Sequence, residues 1–104
     1  MKYRAIYLDT AKHDVSEIRN YLSQFYPGTP NRFLTALKKG VENICDNPFI
    51  CPVYEDNPAY RKMVVLDYLV FYKILDTDKA IEIRRILHGM RDIRAHLPKP
   101  PKAD

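Results

Sequence analysis

From Tyr68 to Leu75 the chain is apolar or aromatic at every position but Lys73. A run this short and rich in β-branched and aromatic residues predicts a strand buried on both faces. Asp76-Thr77-Asp78 follows, and Asp side chains that bond their own backbone favour a turn. From Ala80 to Leu87 apolar and polar residues alternate. The alternation places Ile81, Ile83, Arg85 and Leu87 on one side, and Glu82, Arg84, Ile86 and His88 on the other. Tyr60 to Leu66 predicts a further strand. Near the N-terminus, Tyr3 to Leu8 predicts another, with Tyr3, Ala5 and Tyr7 on one side and Arg4, Ile6 and Leu8 on the other.

Between the first strand and the last three the period lengthens to that of a helix. Val15, Ile18, Leu22 and Phe25 recur at helical spacing from Ala11 to Tyr26, and Asp9-Thr10 can cap the start. Pro27-Gly28 ends this helix. Thr29 is placed to cap a second, with Pro30 suited to its first turn. Phe33, Leu37, Val41 and Ile44 form its stripe, flanked by Leu34 and Cys45, and Asn47-Pro48 stops it. Pro48 to Pro58 reads as a loop, Met90 to Leu97 as one helical turn, and Pro98 to Asp104 as an extended or disordered tail. The order is β-α-α-β-β-β. It predicts one α+β domain over 1–97 in two layers: an antiparallel helical hairpin on one face of a mainly antiparallel four-stranded sheet. The other sheet face is left for solvent or a partner.

Composition fits one such domain. A chain of 104 residues buries roughly 60–68% of its unfolded surface, enough for a modest core. No apolar run approaches the roughly 20 residues of a membrane span. Met1 to Asp9 lacks the apolar stretch and cleavage site of a signal peptide. These features point to a cytoplasmic chain, in which Cys45 and Cys51 are expected as reduced thiols. Their spacing matches no zinc pattern, and no metal or cofactor is expected.

Charge sharpens the picture. The net charge is +4, but residues 79–102 alone carry +5: Lys79, Arg84, Arg85, Arg91, Arg94, Lys99 and Lys102 against Glu82 and Asp92. A cationic patch on a near-neutral body suits phosphates or an acidic protein. Arg84 and Arg85 point to opposite faces of their strand, where either could instead pair with Glu82 or a neighbouring acid. His88 before Gly89 could be a turn residue. Arg61-Lys62 could be a charged strand end that discourages edge pairing.

The strands Tyr68 to Ile74 and Ile81 to Leu87, closed by His88-Gly89-Met90-Arg91-Asp92-Ile93, resemble the RelE/ParE superfamily of type II toxins. Tyr60-Arg61-Lys62 before an apolar run fits as well. The likeness spans roughly residues 3–97 and is nearest to the ParE-like branch. It implies a toxin neutralised by a cognate antitoxin, which would dock by helix-in-groove or strand addition. ParE-like members are associated with DNA gyrase. RelE-like members cut messenger RNA on the ribosome, which needs a base, an acid and cations around the phosphate.

The resemblance places Arg61 and Arg91 at catalytic positions, should the chain be a nuclease, and His88 is added to them as a side chain able to donate a proton. By their charge, Lys62, Arg84, Arg85, Arg91 and Arg94 are expected to bind the target. Tyr68 and Tyr72, amid aliphatic residues, are expected as core or antitoxin contacts, and Met63 suits an adaptable antitoxin interface. Two departures weigh against cleavage. Leu69 stands where the nucleases carry an arginine, and no tyrosine follows Tyr72. The expectation is therefore a gyrase-directed toxin. The alternatives are a ribosome-dependent endoribonuclease and an inactive antitoxin-binding member.

Overall fold

The computed structural model describes residues 2–25, 28–89 and 97. They form β1 (Arg4–Tyr7), α1 (Asp9–Leu22), α2 (Thr29–Asp46), β2 (Arg61–Val65), β3 (Tyr68–Leu75) and β4 (Ala80–His88). The strands make one sheet in the order β1-β4-β3-β2. Neighbouring pairs in β2-β3-β4 are antiparallel, while β1 runs parallel to β4. The expected element order and two-layer architecture are therefore found.

Both helices cover one sheet face. Ala11 and Ile18 of α1 and Phe33, Leu37, Val41 and Ile44 of α2 meet Val70 and Tyr72 of β3 and Ile81, Ile83 and Ile86 of β4. Each large side chain buried here stabilises the fold by about 1.5–3 kcal/mol. Phe33 meets Tyr68 edge to face, with centroids 5.0 Å apart. The Tyr72 hydroxyl donates to the Pro48 carbonyl at 2.8 Å, fastening the chain where it leaves α2.

The second face is only partly open. Phe71, Leu87 and Leu97 form a smaller apolar cluster with Tyr54 and Leu69. The loop before β2 folds back to reach it. Val53 bridges to Arg61, and the Lys62 amide donates to the Pro52 carbonyl. Tyr54 thereby packs on Phe71.

Several local expectations are corrected. α1 starts at Asp9 and ends at Leu22, so Phe25 lies beyond it and is exposed. Neither helix has a side-chain N-cap bond, and Asp9 and Thr29 already lie inside their helices. Thr10 instead donates to the Arg84 carbonyl at 2.8 Å. The strict alternation of β4 fails because the ladder to β3 is irregular. Phe71 opposes Arg85, whereas Tyr72 opposes Ile83, leaving Arg84 between them. Such a bulge resets the period-2 pattern. Ile86 therefore joins Ile81 and Ile83 under the helices, and Leu87 goes to the opposite cluster. The expected helical turn from Met90 and the tail from Pro98 lie outside the described residues.

Candidate target-binding face

On the sheet face away from the helices, register places Lys62 opposite Phe71 and Lys73 opposite Glu82. Tyr60, just before β2, is almost fully buried. Lys73 Nζ lies 5.5 Å from the centre of its ring, and the Arg84 guanidinium carbon 6.0 Å. Arg84 also lies 3.7 Å from a Glu82 oxygen. Lys62 lies 5.6 Å from the centre of the Tyr54 ring. Aromatic faces attract cations weakly, by about 0.5–1 kcal/mol when exposed. Here they align three cations beside the small apolar cluster. Such a surface can hold phosphate or carboxylate groups.

The bulge keeps Arg84 and Arg85 apart. Arg85 grips Asp14 of α1 with two bonds, Nε to Oδ2 at 2.7 Å and Nη2 to Oδ1 at 2.9 Å. The Ile86 amide donates to the same Oδ2 at 2.9 Å. Asp14 is only 2% exposed. Its bonds to Arg85 hold the guanidinium more firmly protonated than usual. Removing one partner of so buried a pair costs about 3–5 kcal/mol.

Two other sites are separate. Arg61 Nη1 donates to the Cys51 carbonyl at 2.6 Å, and its guanidinium lies 5.0 Å from the Phe49 ring centre. His88 meets Tyr68 edge to face at 5.4 Å. It lines a cavity of about 440 Å³ beneath α1, with Asp14, Glu17, Ile18, Tyr21, Tyr68 and Ile86. A larger groove of about 660 Å³ runs beside β1. Val15, Leu34, Leu37 and Val41 line it, with Lys2, Arg4, Lys12 and Lys38 around them.

Residues 5–93 match the family described as the ParE toxin of type II toxin–antitoxin system, parDE. The chain belongs to the ParE toxin family. The fold of this ParE-family toxin is also that of several solved structures. The Mycobacterium tuberculosis RelBE2 toxin–antitoxin complex aligns with a TM-score of 0.64 at 18% identity, covering 85% of this chain and 99% of that one. The Pseudomonas aeruginosa chromosomal ParDE system gives 0.61 at 18% identity, covering 84% and 96%. The intact Escherichia coli RelBE complex gives 0.60 at 14% identity, covering 86% and 99%. No match was found among curated proteins.

The toxin's sequence-assigned residues divide. Lys62 and Arg84 both lie on the open face, Lys62 over Tyr54 and Arg84 over Tyr60. Arg85, expected to contact the target, is instead taken up by Asp14, because the bulge leads it to α1. Arg61 and His88, expected together in a nuclease, are not brought together. Arg61 pairs with Tyr72 and His88 with Tyr68, four residues apart on β3, or about 13 Å of strand. Tyr68 and Tyr72, expected as core or antitoxin contacts, and Met63, expected at the antitoxin, are at most 7% exposed. Their place under the helices makes them core in this conformation. Arg91 and Arg94 lie outside the described residues. Lys73 and Tyr60 were missed. Lys73 carried a signal, as the single charge in an apolar strand, with the parity of Leu69 and Phe71.

Proposed function

We propose that this toxin arrests growth by binding DNA gyrase through the open sheet face, with Lys62, Lys73 and Arg84 as contacts, and makes or breaks no bond. The observation that carries this reading is the separation of Arg61 from His88. Arg61 is committed to the Cys51 carbonyl at the start of β2, and His88 faces α1 at the end of β4. Cleavage of RNA needs its base, acid and cations around one phosphate. The cationic face needs only an acidic surface on its target.

The partner that neutralises it is an antitoxin. The groove beside β1 supports this, since its apolar lining is ringed by four basic side chains and one acid, Glu42. That chemistry suits an acidic, amphipathic antitoxin segment.

The test follows supercoiling by purified gyrase and messenger cleavage on programmed ribosomes, each with the full chain added. Inhibited supercoiling with intact messenger is expected. Messenger cuts with normal supercoiling would make the chain a ribosome-dependent nuclease. No effect in either assay, with growth unimpaired on induction, would make it an inactive family member.

A further inference from the structure

We infer that Thr10 and Asp14 are positioning residues for target contact, holding the β4 bulge so that Arg84, and not Arg85, is offered on the open face. This rests on the reading that the open face meets the target.

A bulge leaves one strand residue without a ladder partner and needs support from elsewhere. Here support comes from one turn of α1. Thr10 and Asp14 are four residues apart and lie on one side of that helix. Between them they hold three consecutive residues of β4. Thr10 Oγ1 donates to the Arg84 carbonyl at 2.8 Å. Asp14 takes the Arg85 guanidinium in a fork and accepts from the Ile86 amide. The backbone of the bulge is thus fixed on the helix side of the sheet, while the Arg84 side chain crosses to Tyr60 and Glu82.

Stability alone does not call for this arrangement. Buried ion pairs replaced by apolar groups of similar volume often leave a protein as stable or more so. What the pair does supply is a choice between two adjacent arginines. One is locked in a buried fork within the fold, and the other, held only by a long, partly exposed pair with Glu82, stays within reach of a partner. A change in the seating of α1 would therefore reach the open face through these bonds.

The test induces the full chain in cells and reads growth arrest at matched soluble toxin, a measure that does not depend on which target is hit. Wild type is compared with Thr10→Val, Asp14→Asn, Arg84→Ala and the double variants containing Arg84→Ala. Thr10→Val is nearly isosteric and removes one bond from an exposed residue, so it serves even where Asp14→Asn misfolds. Losing one positioning bond is expected to raise the toxin level needed for arrest about threefold to tenfold, with circular dichroism unchanged. Thr10→Val is expected to add nothing further once Arg84 is alanine, which a merely structural role would not produce. Arrest weakened by Arg84→Ala but untouched by Thr10→Val, or weakened additively by both, overturns the inference and leaves the face intact. Arrest indifferent to Arg84→Ala overturns the reading of the face, and a wild-type chain that arrests nothing overturns both.

Discussion

Leu66 occupies the two-residue link between β2 and β3 with φ at 54°. That left-handed conformation costs an L-residue with a Cβ roughly 1–2 kcal/mol. Asn tolerates it through local hydrogen bonding, and the exposed leucine side chain contributes little packing. Leu66→Asn is expected to stabilise the toxin by about 0.5–1 kcal/mol, read as a higher midpoint in urea with an unchanged slope. A lower midpoint would show that the leucine makes a contact worth more than the strain. The cysteines also differ at this scale. Cys45 is 5% exposed at the end of α2, and burial pushes its thiol pKa up. Cys51 is partly exposed. Thiolate is the reactive form, so iodoacetamide at neutral pH is expected to label Cys51 first and Cys45 only as the chain unfolds. Equal labelling rates in the native protein would contradict the burial.

At the scale of elements, α2 is held close to β2 by Gly40. A Cβ there would lie 3.1 Å from the Met63 sulfur, 3.2 Å from its terminal methyl and 3.4 Å from Val65 Cγ2. The two closest atoms end a flexible side chain that adapts, and alanine gains about 1 kcal/mol of helix propensity. Gly40→Ala is therefore expected to change stability by less than about 1 kcal/mol, whereas Gly40→Leu, which must push α2 off the sheet, is expected to cost about 1–3 kcal/mol. Thermal melts of the two variants check this, and equal losses would mean that the helix cannot move at all. The element order was legible in the sequence because the helical spacing from Val15 to Ile44 is bounded by strand-type runs at Tyr3 to Leu8 and from Tyr60 to Leu87, even though β3 is an unbroken apolar run but for Lys73 and the alternation of β4 breaks at its bulge. The site was legible only in part. Lys62 and Arg84 stood out by charge, but the bulge that separates Arg84 from Arg85 has no signature in residue type. It depends on Asp14, 71 positions away. The helix ends misled for a related reason: Thr10 is a good capping residue, but it lies inside α1, and its hydroxyl donates to a carbonyl of a strand distant in sequence instead of accepting from a free amide at the helix start.

Across the whole molecule, the parallel pairing of β1 with β4 ties the first strand to the last. Tyr3 closes that union. Its hydroxyl donates to Asp76 in the β3–β4 turn, 73 residues away, and Lys79 Nζ donates to the same hydroxyl at 3.4 Å. The Tyr3 bond, followed by the charge of Lys79, lowers the Asp76 pKa. A carboxylate whose folded pKa lies below its unfolded value, about 3.9 for Asp, stabilises the fold above that value. The contribution disappears as pH falls through the depressed folded pKa. Tyr3→Phe removes the first of these causes and keeps the ring that packs against the core. The variant is expected to melt below wild type at pH 7, with the gap closing as the buffer is taken from about pH 5 to below pH 3. Asp76 is exposed, so the gap should also narrow in high salt. Thermal melts across that pH series decide the matter. A gap that stays constant would mean that the tyrosine acts through packing and that the turn's charge has no part in holding the two ends of the sheet together.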